Sequence, residues 1–156
     1  LMEKVGGITA PGDPLLSSNP CVAAAQTASL EGMPPAPPGS PVAIEKAIAF
    51  AAAQRGEPYV WGATGPDSWD CSGLMLRAWG AAGVSLPRTS AAQSKVGTPV
   101  NVSDMQRGDL VFYGSPVHHV AMYLGEGKVI HAPHTGDVVR IADVHMMPIT
   151  GVRRVG

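Results

Sequence analysis

Proline is concentrated at the start of this 156-residue chain, and this limits where a folded domain can form. Eight of the 15 prolines lie within residues 1–41, a stretch with only four charged residues and no aromatic residue. Proline removes a backbone hydrogen-bond donor, and a segment without large apolar side chains buries little surface. We therefore predict that residues 1–40 are a linker or arm rich in Pro, Ala and Gly. Residues 41–156 are predicted to form the folded domain.

Within that domain the residue pattern changes from helical to strand-like. Apolar residues recur at helical spacing after Pro41, with Ser40 as the predicted cap, and two more helices are predicted at about Asp70–Ala82 and Ser90–Val96. Short strands are predicted after the helices, at Asp109–Tyr113, His119–Leu124, Lys128–His131, Val138–Ile141 and Gly151–Val155. Helices followed by strands predict an α+β fold with an antiparallel sheet.

Composition excludes several classes of function. The formal net charge of −1 and the pI near 6.6 argue against a nucleic-acid binder, which usually has a strongly basic face. The chain has no apolar run of the length, roughly 18 residues, that spans a membrane. Its two cysteines are too few for a disulfide framework. Residue 1 is Leu, so we expect that any signal peptide is not visible in this sequence.

Cys71 lies in the sequence Asp70-Cys71-Ser72-Gly73, at the predicted start of the second helix. The free N–H groups and the dipole at a helix N-terminus favour a thiolate, and the same amides can donate to an oxyanion beside the sulfur. The position therefore suits a catalytic nucleophile with a lowered thiol pKa. The alternative is that Cys71 is a small buried side chain on an Ala-rich helix.

All five histidines follow Cys71, and two of them fall on a predicted hairpin. His119 opens one strand and His131 ends the next, so the two can lie close together on one face. A cysteine with a histidine base, itself held by a third polar group, is typical of cysteine hydrolases. The alternative for each histidine alone is a partly exposed strand residue.

A metal site competes with this interpretation, because several imidazoles lie close together in the sequence. His118 and His119 are adjacent, however, and adjacent residues of a strand point to opposite faces. No C-x-x-C or H-E-x-x-H motif occurs. We therefore expect no metal ligands and no cofactor.

Six motifs in a fixed order carry a resemblance to a known family. They are Tyr59-Val60-Trp61-Gly62; Asp70-Cys71-Ser72-Gly73-Leu74; Leu86-Pro87-Arg88-Thr89-Ser90 with Gln93; Arg107-Gly108-Asp109-Leu110-Val111-Phe112; His119-Val120-Ala121-Met122-Tyr123-Leu124-Gly125; and His131-Ala132-Pro133. The series closely resembles the NlpC-type family of bacterial cell-wall endopeptidases, over roughly residues 42–155.

The resemblance implies a papain-like α+β fold, with N-terminal helices packed on a central antiparallel sheet of about five to six strands. It also implies a peptidoglycan hydrolase of the cysteine D,L-endopeptidase type. Such an enzyme cuts stem peptides between γ-D-glutamate and meso-diaminopimelate or lysine. By motif position, Cys71 matches the nucleophile, His119 the base and His131 the third, orienting residue.

The same resemblance suggests further site residues. Tyr59 matches a tyrosine that assists the oxyanion hole, and Asp70 and Ser72 match residues that contact the substrate. Arg88 is a candidate to bind a stem-peptide carboxylate, and its alternative is a surface turn without a function. The implied partner is the peptidoglycan stem peptide, and we expect a secreted or wall-associated monomer.

Three questions stay open from the sequence. The first is whether the chain is an endopeptidase or instead one of two alternatives. These are a catalytically silent peptidoglycan-binding module and a thiol amidase that cuts the muramyl–L-alanine bond. Residues 1–40 are either a tether or an arm that packs on the catalytic face. Cys21 is either an incidental free thiol or the partner of Cys71 in a disulfide that blocks the nucleophile.

Overall fold

The helices come first in the chain, as predicted. In the computed structural model, which describes residues 32–156, they are α1 (Val42–Ala53), α2 (Cys71–Ala81) and α3 (Ser90–Gln93). No helix of this described part is long and apolar enough to cross a lipid bilayer.

Two helix boundaries differ from the prediction. Pro41 is the N-cap of α1 and has extended backbone (ψ 138°), so the helix begins one residue later than expected. Ser40 does not cap it, because its hydroxyl donates to Glu45 Oε2 at 2.7 Å. Helix α3 ends at Gln93 rather than near Val96. There the Ser94 hydroxyl donates to the carbonyl of Ala91 at 2.6 Å, a local bond that competes with continued helix.

Six strands form one antiparallel sheet in the order β1-β6-β2-β3-β4-β5. The strands are β1 (Thr98–Pro99), β2 (Leu110–Tyr113), β3 (His119–Gly125), β4 (Lys128–His131), β5 (Arg140–Asp143) and β6 (Ile149–Arg154), and a short 3-10 helix (Val102–Asp104) follows β1. The α+β prediction is confirmed. The two-residue edge strand β1 was not predicted, since it contains a proline, and β5 begins two residues later than expected.

Strand β2 is buried along its whole length because both faces of the sheet are covered there. On one face, α1 and α2 pack against Leu110, Phe112 and their neighbours to form the larger core cluster, which includes Trp69 and Trp79. On the other face, a smaller cluster surrounds Val111 and Tyr113. The larger cluster also contains Cys71, so the first turn of α2 is fixed against the sheet.

Packing on this core begins before the first helix. Met33 packs against the larger cluster, and Pro34 is buried. Arg107 holds this segment in place, because its Nη1 donates to the Pro34 carbonyl at 3.1 Å and to the Leu124 carbonyl at 2.8 Å. Its Nε and Nη2 each donate to the Glu45 carboxylate at 2.9 Å. Most of the predicted arm, residues 1–31, lies outside the described residues.

Candidate active site

Cys71 is the first residue of α2, and Asp70 caps that helix. The Asp70 carboxylate accepts from the N–H groups of Gly73 at 2.6 Å and Gly62 at 3.0 Å. A Cβ atom at Gly73 would clash with the carbonyl oxygen of Ala63, so only glycine fits there. The nucleophile candidate is thus held between a capped helix and the loop before it.

Arg88 completes a network of charged and polar groups around the start of α2. Its Nη2 donates to Asp70 Oδ2 at 2.7 Å, and its Nη1 donates to Ser72 Oγ at 2.8 Å. The Arg88 side chain is 39% exposed, whereas Asp70 and Ser72 are buried. These three predicted substrate-contact residues therefore lie together, and the guanidinium is their most accessible member.

Gln93 supports this network from α3. Its side chain is fully buried, and its Nε2 donates to the carbonyls of Ser72 at 3.1 Å and Pro87 at 2.9 Å. Gln93 thus joins the first turn of α2 to the residue before Arg88. Gln93 belongs to the motif that begins at Leu86, and the motif alone did not indicate this role.

His119 and His131 meet on the β3–β4 hairpin, which confirms their predicted proximity. His119 Nε2 lies 2.8 Å from His131 Nδ1, a hydrogen-bonding distance. The two residues are 5% and 2% exposed. His131 Nε2 is buried and has no hydrogen-bond partner within residues 32–156. Because His119 uses Nε2 for this pair, its Nδ1 is the nitrogen left for another partner.

The cysteine and the two histidines line one cleft of about 400 Å³. The backbone N–H of Val120, the residue after His119, is close enough to favour the thiolate form of Cys71, which places the sulfur beside the start of β3. The other residues of the cleft wall are Tyr59, His118, Pro133, His134, Arg140, Met146 and Met147. A larger groove of about 610 Å³, lined mainly by α2 and the residues that follow it, has neither cysteine nor histidine in its lining.

Burial sets the protonation state of these groups. It raises the pKa of the Cys71 thiol, although the N–H groups of Val120, Ser72 and Cys71 act in the opposite direction. The expectation that the helix N-terminus would lower this pKa overall is wrong, because the desolvation penalty is larger. Burial likewise lowers the pKa of His119 to about 4 and that of His131 to about 3. A neutral thiol therefore faces neutral imidazoles at neutral pH.

Tyr59 also lines the cleft, where burial raises the pKa of its hydroxyl and the negative charges of Cys71 and Asp70 raise it further. Its backbone N–H donates to the Asp137 carbonyl at 2.9 Å, which anchors the loop that carries it. A neutral tyrosine hydroxyl remains a hydrogen-bond donor at the pH of catalysis.

The cleft has two ends. The cysteine end is Cys71 with the network of Asp70, Ser72 and Arg88 around it, and the histidine end is His119, His131 and Arg140 with Asp137 bonded to Arg140. Arg140, Met146 and Met147 were not among the predicted site residues. No motif marks these residues, and they reach the cleft only through the packing of β5 and the following loop. Within residues 32–156, no group of three His, Cys, Asp or Glu side chains is arranged to hold a metal ion.

Cys71 carries a free thiol. Its suggested disulfide partner, Cys21, lies outside the described residues.

A six-stranded antiparallel sheet with a cysteine at the start of a packed helix and a histidine pair on the neighbouring hairpin defines an α+β protein with a cysteine–histidine site. The NlpC/P60 family profile matches residues 56–151. The chain belongs to the NlpC/P60 family.

Its relatives include proteins named as peptidases. The chain is 46% identical over 116 residues to a "probable endopeptidase" of Corynebacterium glutamicum, a match that covers 73% of this chain and 56% of that protein. It is 41% identical over 91 residues to the gamma-D-glutamyl-L-lysine dipeptidyl-peptidase of Bacillus subtilis, covering 55% of this chain and 31% of that protein. The chain thus spans about half or less of the length of these curated relatives.

Two solved structures frame the question of activity. The peptidoglycan hydrolase RipB of Mycobacterium tuberculosis matches with a TM-score of 0.67 and 31% identity, over 93% of this chain and 91% of that one. RipD of the same organism matches with a TM-score of 0.65 and 34% identity, over 74% of this chain and 98% of that one. RipD is described as a non-catalytic NlpC/P60 domain protein adapted to peptidoglycan binding. Similarity to this family therefore does not by itself establish catalysis, which depends on the residues of this chain.

Proposed function

We propose that this protein is a peptidoglycan hydrolase, a cysteine D,L-endopeptidase that cleaves stem peptides between γ-D-glutamate and meso-diaminopimelate or lysine. The observation that carries the proposal is the 2.8 Å contact between His119 Nε2 and His131 Nδ1, in the same cleft as the free thiol of Cys71. This arrangement supports a Cys-His-His triad of nucleophile, base and orienting residue.

The hydrogen bond between the histidines fits the tautomer that catalysis needs, in which His119 is the donor. When His119 carries its proton on Nε2 and donates it to His131 Nδ1, His119 Nδ1 has a free lone pair. His131 then carries its own proton on Nε2, the buried atom that has no partner among residues 32–156. His131 is thus the orienting residue, and His119 is ready to accept a proton.

The reaction begins with proton transfer from the Cys71 thiol to His119 Nδ1 as the sulfur attacks the γ-glutamyl carbonyl carbon. Since burial keeps both groups neutral at rest, His119 acts as a general base during attack rather than in a preformed ion pair. The resulting oxyanion accepts hydrogen bonds from the Cys71 N–H at the start of α2 and from the Tyr59 hydroxyl.

Collapse of this intermediate breaks the C–N bond, and the His119 imidazolium gives its proton to the leaving amine. Water then attacks the thioester with His119 again as the base, which releases a γ-D-glutamate carboxylate and restores the thiol. Asp70, Ser72 and Arg88 bind the part of the stem peptide before the scissile bond. Of these three residues, the partly exposed Arg88 is the one whose guanidinium binds a carboxylate of the stem peptide.

The substrate implies where the protein works: we place it outside the cytoplasm, secreted or wall-associated, acting as a monomer on peptidoglycan stem peptides. No cofactor has a part in this mechanism, since thiol and imidazole supply every proton transfer, and side chains and backbone amides of this chain supply the hydrogen bonds.

Digestion of diaminopimelate-type peptidoglycan, with fragments identified by mass, tests the proposal. The wild-type protein should release fragments ending in γ-D-glutamate, and Cys71→Ala should release none. Cys71→Ser is the matched control, because it replaces the thiol with a hydroxyl of similar size that is far less acidic. Fragments that begin with L-alanine would instead identify the thiol amidase.

The existence of a non-catalytic structural relative favours a second candidate, a peptidoglycan-binding module. Binding of wild type and Cys71→Ala to insoluble peptidoglycan, without any release of fragments by wild type in the presence of a reductant, would favour this candidate over the hydrolase.

A further inference from the structure

We infer that Arg140 is a specificity-determining residue, whose guanidinium binds a carboxylate on the side chain of the residue just after the scissile bond. The cleft then prefers stem peptides that carry a diamino-dicarboxylic residue, of the diaminopimelate type, over those that carry lysine. This inference rests on the proposed endopeptidase function and names the substrate class of that same site.

Arg140 occupies the histidine end of the cleft. It is the first residue of β5, lies directly opposite His131 in the β4–β5 register, and forms part of the cleft wall. Its positive charge contributes to the lowered pKa of His131. The guanidinium is therefore close enough to the histidine pair to act on a bound substrate.

The guanidinium is held on one edge and open on the other. Its Nε lies 3.2 Å from both carboxylate oxygens of Asp137, and its Nη2 donates to Asp137 Oδ2 at 3.1 Å. Nη1 makes no hydrogen bond within residues 32–156, and the side chain is 48% exposed. A guanidinium oriented in advance loses less side-chain entropy when it binds a carboxylate.

The chemistry of the reaction decides which part of the substrate meets Arg140. His119 gives its proton to the leaving amine, so the residue that carries this amine must lie next to the histidine end. The acyl part lies at the cysteine end, where the Cys71 N–H receives the oxyanion. Arg140 belongs to the first of these two regions and Arg88 to the second.

The two residue types that can follow the scissile bond differ in charge. A diaminopimelate side chain ends in both an amine and a carboxylate, whereas a lysine side chain ends in an amine alone. The open edge of Arg140 offers a charge-assisted hydrogen bond to the first. The ammonium of the second gains no such bond from a guanidinium, and the exposed imidazole of His134 nearby offers no negative charge. The carboxylate of Asp137 is already paired with Arg140.

Three disaccharide-tripeptides that differ in one group test the inference. They carry meso-diaminopimelate, its side-chain carboxamide, or L-lysine after γ-D-glutamate. Wild type should cleave the free carboxylate form with a kcat/KM on the order of 10–100-fold above the other two, the range of a charge-assisted hydrogen bond. In Arg140→Gln this ratio should fall towards one, and Arg140→Lys should keep part of it. Arg153→Gln, which removes a guanidinium outside the cleft, should keep the wild-type ratio.

The outcomes separate this inference from the function on which it rests. Equal cleavage of all three compounds by wild type, or an unchanged ratio in Arg140→Gln, would overturn the role of Arg140 while the endopeptidase remains established. If wild type cleaves none of them but releases other fragments from whole peptidoglycan, the assigned bond is wrong, and the role of Arg140 is overturned with it. Circular dichroism melting of each variant shows whether a loss reflects unfolding.

Discussion

The two ends of the cleft satisfy their polar groups in opposite ways. At the cysteine end, Asp70 is bonded to two backbone N–H groups and to the Arg88 guanidinium, so its charge is balanced although it is buried. At the histidine end, two buried imidazoles share one hydrogen bond, and neither is charged at neutral pH. The buried groups of the cysteine end are fixed by paired charges, whereas the buried imidazoles of the histidine end stay neutral and its ion pair, Arg140–Asp137, lies at the exposed edge.

This difference matches what the proposed reaction needs at each place. The nucleophile and the oxyanion donors must not move, and ion pairs with backbone bonds hold them. The base must accept and release a proton twice in each cycle, so an imidazole held by one neutral bond suits it better than one locked in a salt bridge. The comparison predicts that variants at the histidine end chiefly affect the rate, whereas variants at the cysteine end also affect stability.

The largest effect is expected from His119→Ala. Removal of the base should lower kcat by a factor on the order of 10⁴–10⁶, as the loss of a triad histidine does elsewhere. Hydrolysis of a stem-peptide substrate with continuous amine detection measures this. His118→Ala is the matched control, since His118 also lines the cleft but is exposed and has no place in the triad. Similar losses in both variants would argue against His119 as the base.

A smaller loss is expected from His131→Ala. Without the hydrogen-bond partner of its Nε2, His119 also adopts the tautomer that carries the proton on Nδ1 and cannot accept the thiol proton there. As a result, kcat should fall by a factor on the order of 10²–10⁴ with little change in KM. His131→Asn retains an acceptor for His119 Nε2 and should recover part of the rate. If Asn is no better than Ala, the hydrogen bond does not orient His119.

At the cysteine end the main effect should be on stability. Asp70→Ala removes the cap of α2 and leaves Arg88 without its carboxylate. Because the guanidinium can still reach water, we expect a loss of about 2–3 kcal/mol in the free energy of unfolding. Urea denaturation measures it. Thr89→Ala removes the exposed cap of α3 and should cost about 0.5–1 kcal/mol. Equal losses of stability in Asp70→Ala and Thr89→Ala would mean that the ion pair of Asp70 with Arg88 adds nothing to the effect of the helix cap.

The last expected effect is absent at neutral pH and appears only as the pH is lowered. Unfolded His131 binds a proton near pH 6.5, whereas the folded residue stays neutral down to a pKa of about 3. The unfolded state therefore binds more protons between these values, and stability is lost as the pH falls below 6.5. This residue should contribute a slope of up to about 1.4 kcal/mol per pH unit. Unfolding of wild type and His131→Asn from pH 7 to pH 4 measures it. Parallel curves would contradict the lowered pKa.

Much of the histidine end could be predicted from the sequence. The hairpin between His119 and His131 follows from two short apolar strands around a Gly-Glu-Gly turn, and pairing of such strands brings their outer ends together. The start of α2 was also predictable, since Asp70 is a strong capping residue directly before an apolar helix. These features depend on local pattern and turn geometry.

Tertiary burial was not predictable in the same way. The direction of the Cys71 pKa shift depends on how much of the larger core cluster covers the thiol, which a helix position does not reveal. The place of Arg140 in the cleft depends on the β4–β5 register, and β5 begins two residues later than its hydrophobic pattern suggested. A shift of register moves every side chain to another position.

Arg107 has a practical consequence for protein engineering. It binds Glu45 in α1, the carbonyl of Leu124 at the end of β3, and the carbonyl of Pro34 ahead of the first helix. A shortened chain that begins at Gly32 keeps all three contacts and the packing of Met33. One that begins at Pro41 leaves an Arg107 donor without its acceptor and uncovers apolar core. Trimming for crystallisation or activity assays is therefore better placed before Gly32 than at the start of the first helix.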